Sequence, residues 1–324
     1  MDLVLARKYR PENFEEVVGQ NSTIAQLKGA IEKQALGHAL IFAGTRGTGK
    51  TTTARILGRV LNEGRSPGEV ALAVTEVDGA SNSGVDEVRS LIDSVKYATQ
   101  GHRVVILDEA HMLTRNAFNA LLKTLEEPPS KVTFVLSTTE LHKIPATIRS
   151  RCQIYEFREV DLDTLVAHFK SVAQAENLEI SDEQLREVAL RAEGSVRDGL
   201  SLLQKFLSGE TIVANADRYF KLVGAIYMGD ATTALSLVGE LRKEEEPRLI
   251  VQTLGRWWHW CSLMNFGLST PINSYFEGSV TNCFSLDRLQ KLFAVTLETE
   301  ESLTKTPNSK VVLDMGIIAL TQVE

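Results

Sequence analysis

The chain has 324 residues, 43% hydrophobic and 24% charged, with a formal net charge of −7. That length predicts two or three domains with ordinary globular cores. The acidic balance excludes a generic polycation that coats nucleic acid. No stretch approaches the roughly 18 apolar residues of a membrane span, and Cys152, Cys261 and Cys283 form neither a C-x-x-C zinc pair nor a disulfide framework.

The opening segment MDLVLARKYRPENF mixes charge throughout and lacks the apolar run of a signal peptide, so a cytoplasmic location is the default. Gly19 and Asn21 punctuate the entry to a first helix, expected over 22–35. HALIFA, 38–43, reads as a short apolar strand. The next residues, Gly44, Thr45, Arg46, Gly47, Thr48, Gly49, Lys50 and Thr51, fit the pattern G-x-x-x-x-G-K-[ST]. A helical stretch, 50–62, follows through Thr52. Strand, glycine-rich loop and helix are the context that makes the pattern a phosphate cradle rather than a chance turn. The glycines let backbone N–H groups converge on anionic oxygens, and the helix start adds its unpaired N–H groups. Lys50 is placed to reach the β- and γ-phosphates of ATP, and the Thr51 hydroxyl to ligate Mg²⁺.

A strand is expected at 73–77 and a helix at 85–97. RVVILDEAH, 103–111, carries four apolar residues, Val104 to Leu107, that read as a strand buried on both faces. It ends in Asp108 and Glu109, where open α/β sheets place their ligands. Asp108 suits the magnesium, and Glu109 the polarisation of an attacking water. A helix over 115–125 ends at Pro128 and Pro129, and strands follow at 132–137 and 153–157.

From Asp161 the strand signals stop. Three helices are expected at 162–176, 182–192 and 195–207, with Ser181 and Gln184 as a capping box and Gly194 as a break. A linker, 208–216, leads to helices at 218–227, 230–242, 248–265, 286–303 and 309–322, with a looser stretch at 267–282. The fold class is therefore α/β plus all-α: a phosphate-loop domain over 1–160, a helical lid over 161–207 and a helical domain over 208–324. Trp257, Trp258 and Trp260 fit either a partner-binding surface or core packing. His259 has no candidate metal co-ligand nearby in sequence and reads as a packed or surface histidine.

Together these motifs resemble the AAA+ ATPase subunits of DNA polymerase sliding-clamp loaders, most closely the bacterial gamma/tau type. The resemblance runs through KYRPENFEEVVGQ (8–20), the phosphate loop, EVDGASNSGVDEVRSLI (76–92), LDEAHMLTRNAFNALLKTLEEPP (107–129), FVLSTTELHKIPATIRSRCQIYEF (134–157) and GSVRDGLSLLQK (194–205). It is tight to about residue 207 and architectural beyond, where it implies an oligomerisation collar. It implies a first polar sensor at Thr139, or at its neighbour Thr138. Arg151 in SRC would be an arginine finger acting in a neighbouring subunit's site, and Arg197 a second sensor on the lid. Arg7, Tyr9, Arg10, Pro11 and Val18 would line base and ribose. Implied partners are the other subunits of a pentameric loader, the sliding clamp and primer–template DNA, with room for a single-stranded DNA-binding protein and no membrane. DNA would meet Ser81, Asn82 and Ser83 and, at the next helix start, Thr114, Arg115 and Asn116. The clamp would meet the 87–97 helix, where the apolar Leu91, Ile92 and Val95 fit either clamp contact or core packing.

The chain departs from the resemblance in two places. The gamma/tau type usually carries a four-cysteine zinc module where this sequence has GRVLNEGRSPGEVALAVTEV (58–77), so no zinc is expected. The sequence also stops at Glu324 without a long tau-type tail, which suggests a bacteriophage or unusual bacterial source, and the host cytoplasm if viral. The function implied is an ATP-hydrolysing loader motor. The competing readings are another AAA+ DNA motor or helicase loader, and a structural loader subunit that binds ATP but barely hydrolyses it.

Overall fold

A computed structural model describes residues 4–95, 101–207, 216–268, 270, 272 and 284–323. The linker at 208–215, most of the looser stretch 267–282, the end of the helix expected to reach 97, and Cys283 lie outside the described residues. Two compact units are present, Met1–Ile212 and Val213–Glu324.

In the first unit the elements run α1 (Leu5–Lys8), α2 (Asn21–Glu32), β1 (Ala39–Gly44), α3 (Lys50–Val60), α4 (Pro67–Ala73), β2 (Val74–Asp78), α5 (Val85–Val95), β3 (Arg103–Asp108), α6 (Arg115–Glu126), β4 (Val132–Thr138), α7 (Ala146–Arg149), β5 (Gln153–Phe157), α8 (Leu162–Ala175), α9 (Asp182–Arg191) and α10 (Val196–Leu207). The strands form one sheet in the order β2-β3-β4-β1-β5, and every neighbouring pair is parallel. Parallel pairing requires a crossover between strands, and helices fill that role on both faces.

Burial on both faces explains the continuous apolar runs. Along β1, Leu40 and Phe42 enter one core with Leu57, Ile106 and Val135, while Ile41 enters the other with Leu107, Phe134 and Leu121. Alternate residues thus feed opposite layers, and each fully buried large side chain contributes about 1.5–3 kcal/mol. Leu91, Ile92 and Val95 belong to this second core, at 8%, 7% and 3% exposure. Of the two readings of these residues, the structure selects packing, with their apolar face turned inward against α6.

The segment 58–77, expected to lack a zinc module, contains an unanticipated helix between the expected helix 50–62 and the expected strand 73–77. Ser66 and Glu69 close a capping box and Pro67 occupies the first turn of α4. The lid is a three-helix cluster built on Leu165, Phe169, Val188 and Leu203, with Leu5 from α1 packed into it. Leu5 N donates to Gln204 Oε1 at 2.8 Å, so the N-terminal segment is fastened to the lid.

The second unit contains α11 (Ala216–Tyr227), α12 (Ala231–Leu241), α13 (Pro247–Asn265), α14 (Leu286–Lys305) and α15 (Ser309–Thr321). Trp257 and Trp258 are 2% and 1% exposed in its core, and Trp258 Nε1 donates to Thr296 Oγ1 at 3.0 Å. Trp260 is partly buried against the same core. Of the two readings of this cluster, the structure selects packing. His259 faces solvent.

Candidate nucleotide site

The sheet order brings the ends of β3, β4 and β1 side by side, so Asp108, Thr138 and Gly44 terminate neighbouring strands. The glycine-rich loop leaves β1 and enters α3 at Lys50. Gly47 and Gly49 have φ of 75° and 101°, the left-handed region that glycine enters without a Cβ penalty. At Gly47 a second constraint applies: a Cβ there would lie 1.9 Å from Ser195 Oγ. That hydroxyl accepts from Asp198 N at 3.1 Å, at the start of α10. The loop and the lid therefore meet through a glycine-sized gap. Gly47→Ala should force the hydroxyl off its cap and strain the loop, costing about 1–3 kcal/mol. Thermal unfolding checks this, and an unchanged midpoint would contradict it.

Lys50 is buried, and its ammonium donates to Gly44 O at 2.8 Å and Thr45 O at 2.7 Å. Burial lowers its pKa, while the charges of Glu109 and Asp108 oppose that shift. Thr51 Oγ1 donates to Asp108 Oδ2 at 3.0 Å. A hydroxyl and a carboxylate held together are hard oxygen donors, the set magnesium takes alongside water and phosphate oxygens. Glu109 adopts φ 46°, a left-handed conformation rare for a non-glycine residue. The turn is tight: a Cβ on Gly79 would lie 2.9 Å from the carbonyl oxygens of both Asp108 and Glu109. Strain of this kind costs about 1–3 kcal/mol and clusters at functional sites.

The Glu109 carboxylate accepts from Thr139 Oγ1 at 3.4 Å and lies 3.5 Å from His111 Nδ1. Thr138 is fully buried, and its hydroxyl lies 3.2 Å from His111 Nδ1. His111 Nε2 is 3.4 Å from Glu140. Of the two threonines offered as a first sensor, Thr139 is the one that reaches Glu109. Sequence reasoning passed over His111, although its place three residues after Asp108 was legible.

The cavity beside the loop is lined by Tyr9, Arg10, Pro11, Val18, Arg46, Gly47, Thr48, Gly49, Lys50, Thr51, Thr52, Asp108, Glu109 and Arg197 among the residues expected there. Arg7 lines an adjoining cleft instead. Gly44 and Thr45 contribute carbonyls to Lys50. Ala6, Val17, His168, Val196 and Leu200 also line the cavity and were not anticipated. Val196 and Leu200 flank Arg197 on one helix, so their spacing was a usable signal. Nothing in the sequence near His168 pointed to it.

Arg151 does not line this cavity. It donates to Glu126 from Nε at 2.9 Å and from Nη2 at 2.5 Å, and to Thr147 O at 2.7 Å, on the surface of the unit. Ser83 O accepts from Thr114 N at 3.0 Å. The two segments expected to meet DNA are thus adjacent, with Ser81, Thr114, Arg115 and Asn116 exposed. Thr114 caps α6 through Ala117 N. Among the described residues, no cluster of three His, Cys, Asp or Glu side chains could hold a metal, and no helix is long and apolar enough to cross a membrane.

A parallel sheet flanked by helices, with a helical lid and a further helical region, defines the class: an AAA+ ATPase fold. Residues 69–161 match the family model for the DNA polymerase III delta subunit, and residues 164–206 that for the ATPase lid domain of a DNA polymerase III clamp loader subunit. The chain is 39% identical over 251 residues to DNA polymerase III subunit tau of Bacillus subtilis, covering 71% of this chain and 45% of that protein. It is 29% identical to DNA polymerase III subunit gamma of Buchnera aphidicola, covering 97% of each. The Thermotoga maritima RuvB Holliday junction branch migration motor shares the fold, with a TM-score of 0.51 at 22% identity over 76% of this chain and 79% of that one. The chain therefore matches clamp-loader AAA+ domains and DNA polymerase III tau/gamma subunits at moderate identity over most of its length, and spans less than half of the B. subtilis tau protein. That match supports a general motor or loader role.

Proposed function

We propose that the chain is the ATP-hydrolysing motor subunit of a clamp loader, which opens a sliding clamp and loads it on primer–template DNA. The observation that carries the reading is the convergence of Lys50, Thr51, Asp108 and Glu109 at neighbouring strand ends, in one cavity with Arg197 of the lid. On binding, the β- and γ-phosphates displace the two carbonyls from Lys50, and loop N–H groups complete the cradle. Thr51 and Asp108 would hold Mg²⁺, which would supply charge neutralisation at the phosphate oxygens. Glu109, oriented by Thr139, takes the attacking water. Arg197 senses the nucleotide from the lid, and Arg151 serves the site of the next subunit.

Residues 1–160 act as the motor, 161–207 as its lid and 208–324 as the collar of a pentamer, working in the cytoplasm. Ser81, Asn82, Ser83, Thr114, Arg115 and Asn116 meet DNA phosphates through helix-start and loop groups, which suits an acidic chain. Lys50→Ala tests the reading. Loss of a charge-assisted contact should weaken ATP binding by about 10–100-fold, and wild-type turnover should rise when clamp and primed DNA are added. Turnover indifferent to the clamp but coupled to movement along DNA would point to a different AAA+ DNA motor.

A further inference from the structure

His168 lies on α8 and lines both the nucleotide cavity and the cleft beside it. Its Nε2 is buried and has no hydrogen-bond partner. Buried polar atoms are normally satisfied, so an orphan nitrogen on a residue that lines a cavity points to a ligand atom that completes the set.

The chemistry around it narrows the ligand atom. The phosphate end is taken by Gly47 to Thr51. Apart from the phosphate loop and strand ends, Ala6, Pro11, Val18 and Leu200 offer apolar surface suited to the faces of a base. Arg197 of the lid lies beside Gly47 of the loop, and the other two polar side chains of the wall away from the loop and strand ends are Tyr9 and Arg10. The Tyr9 hydroxyl is committed to Glu176, and burial first, then the Glu176 hydrogen bond and charge, push its pKa up to about 12. Arg10 can only donate. Burial lowers the pKa of His168, which favours the neutral ring. A neutral imidazole keeps one ring nitrogen as an acceptor.

We propose that His168 selects the nucleobase, its Nε2 accepting a hydrogen bond from the 6-amino group of adenine. The inference rests on the nucleotide-binding reading above. It requires the tautomer with the proton on Nδ1. Guanine and hypoxanthine carry an oxygen at that position, an acceptor facing an acceptor, and are disfavoured.

The test is equilibrium binding, with no hydrolysis needed. The full 324-residue chain is titrated with ATP, inosine triphosphate and purine riboside triphosphate, which carry an amino group, an oxygen and a hydrogen at position 6. Wild type should bind ATP about 10-fold more tightly than purine riboside triphosphate, the usual scale of one hydrogen bond, and inosine triphosphate more weakly still. His168→Phe keeps a ring of similar size and should bind all three alike. His168→Gln restores an acceptor and should recover part of the preference. Equal wild-type affinity for ATP and purine riboside triphosphate overturns the assignment without any variant, as does a Phe variant that keeps the wild-type ratio. A wild type that binds none of the three overturns the nucleotide reading itself, and this inference with it.

Discussion

The Glu109→Gln variant is expected to bind ATP and magnesium as wild type does and to turn over about 10²–10⁴-fold more slowly. Glutamine is nearly isosteric, so the left-handed backbone at φ 46° keeps its shape. The groups assigned to magnesium are separate from it: Thr51 Oγ1 and Asp108 Oδ2 bond each other at 3.0 Å and do not depend on the Glu109 charge. What is lost is the carboxylate that Thr139 orients and that would polarise the water. His111 retains Glu140 and Thr138 as neighbours, so the local packing survives. The measurement pairs nucleotide affinity with phosphate release in the presence of clamp and primed DNA. Intact affinity with collapsed turnover, and a clamp–DNA complex that persists, is the expected pattern. Wild-type turnover would sink the assignment of Glu109. Asp108→Asn is the contrast, because it should weaken magnesium-dependent binding and turnover together.

Local chemistry made much of this site legible in the sequence. A glycine loop between an apolar strand and a helix has few uses, and the DE pair after Val104–Leu107 falls at a strand end because four consecutive buried residues fit a central parallel strand. Several helices of both units carry side-chain caps, with Asp161 at α8, Ser181 at α9, Asp230 at α12 and Ser285 at α14. What failed was anything that depends on which way a face turns. Leu91, Ile92 and Val95 have the spacing of an apolar stripe, but spacing alone cannot say whether a stripe meets the core or a partner, and here it meets α6. The same limit left Trp257, Trp258 and Trp260 undecided. Helix α4 was hidden for a different reason: its length, Pro67–Ala73, is too short for periodicity, and the Ser66/Glu69 cap was the usable signal. His168 sits more than 100 residues from the phosphate loop and joins it only through the lid's packing, which no local pattern encodes.

Arg151→Ala should leave nucleotide affinity close to wild type and remove most clamp- and DNA-stimulated turnover, since an arginine finger is worth about 10³–10⁵ in rate. On the proposed reading Lys50 would serve the phosphates within the subunit, and a second cation is needed as charge develops on the γ-phosphate. Arg151 is not part of the cavity of its own chain; it lies at the surface, paired with Glu126. That pairing does not argue against a role in trans. Exposed ion pairs contribute about 0–1 kcal/mol, so a γ-phosphate presented by a neighbour can outcompete Glu126. Mixing the Arg151→Ala and Lys50→Ala proteins separates a role in trans from one in cis. Each variant is inactive for its own reason, but an interface with intact Lys50 on one side and intact Arg151 on the other can fire. Turnover of the mixture should therefore exceed the sum of the two variants assayed alone at the same total protein, with assembly checked by light scattering. If assembled mixtures never exceed that sum, Arg151 does not act across the interface. Its bonds to Glu126 and to Thr147 O then define its role, as a clasp between α6 and α7.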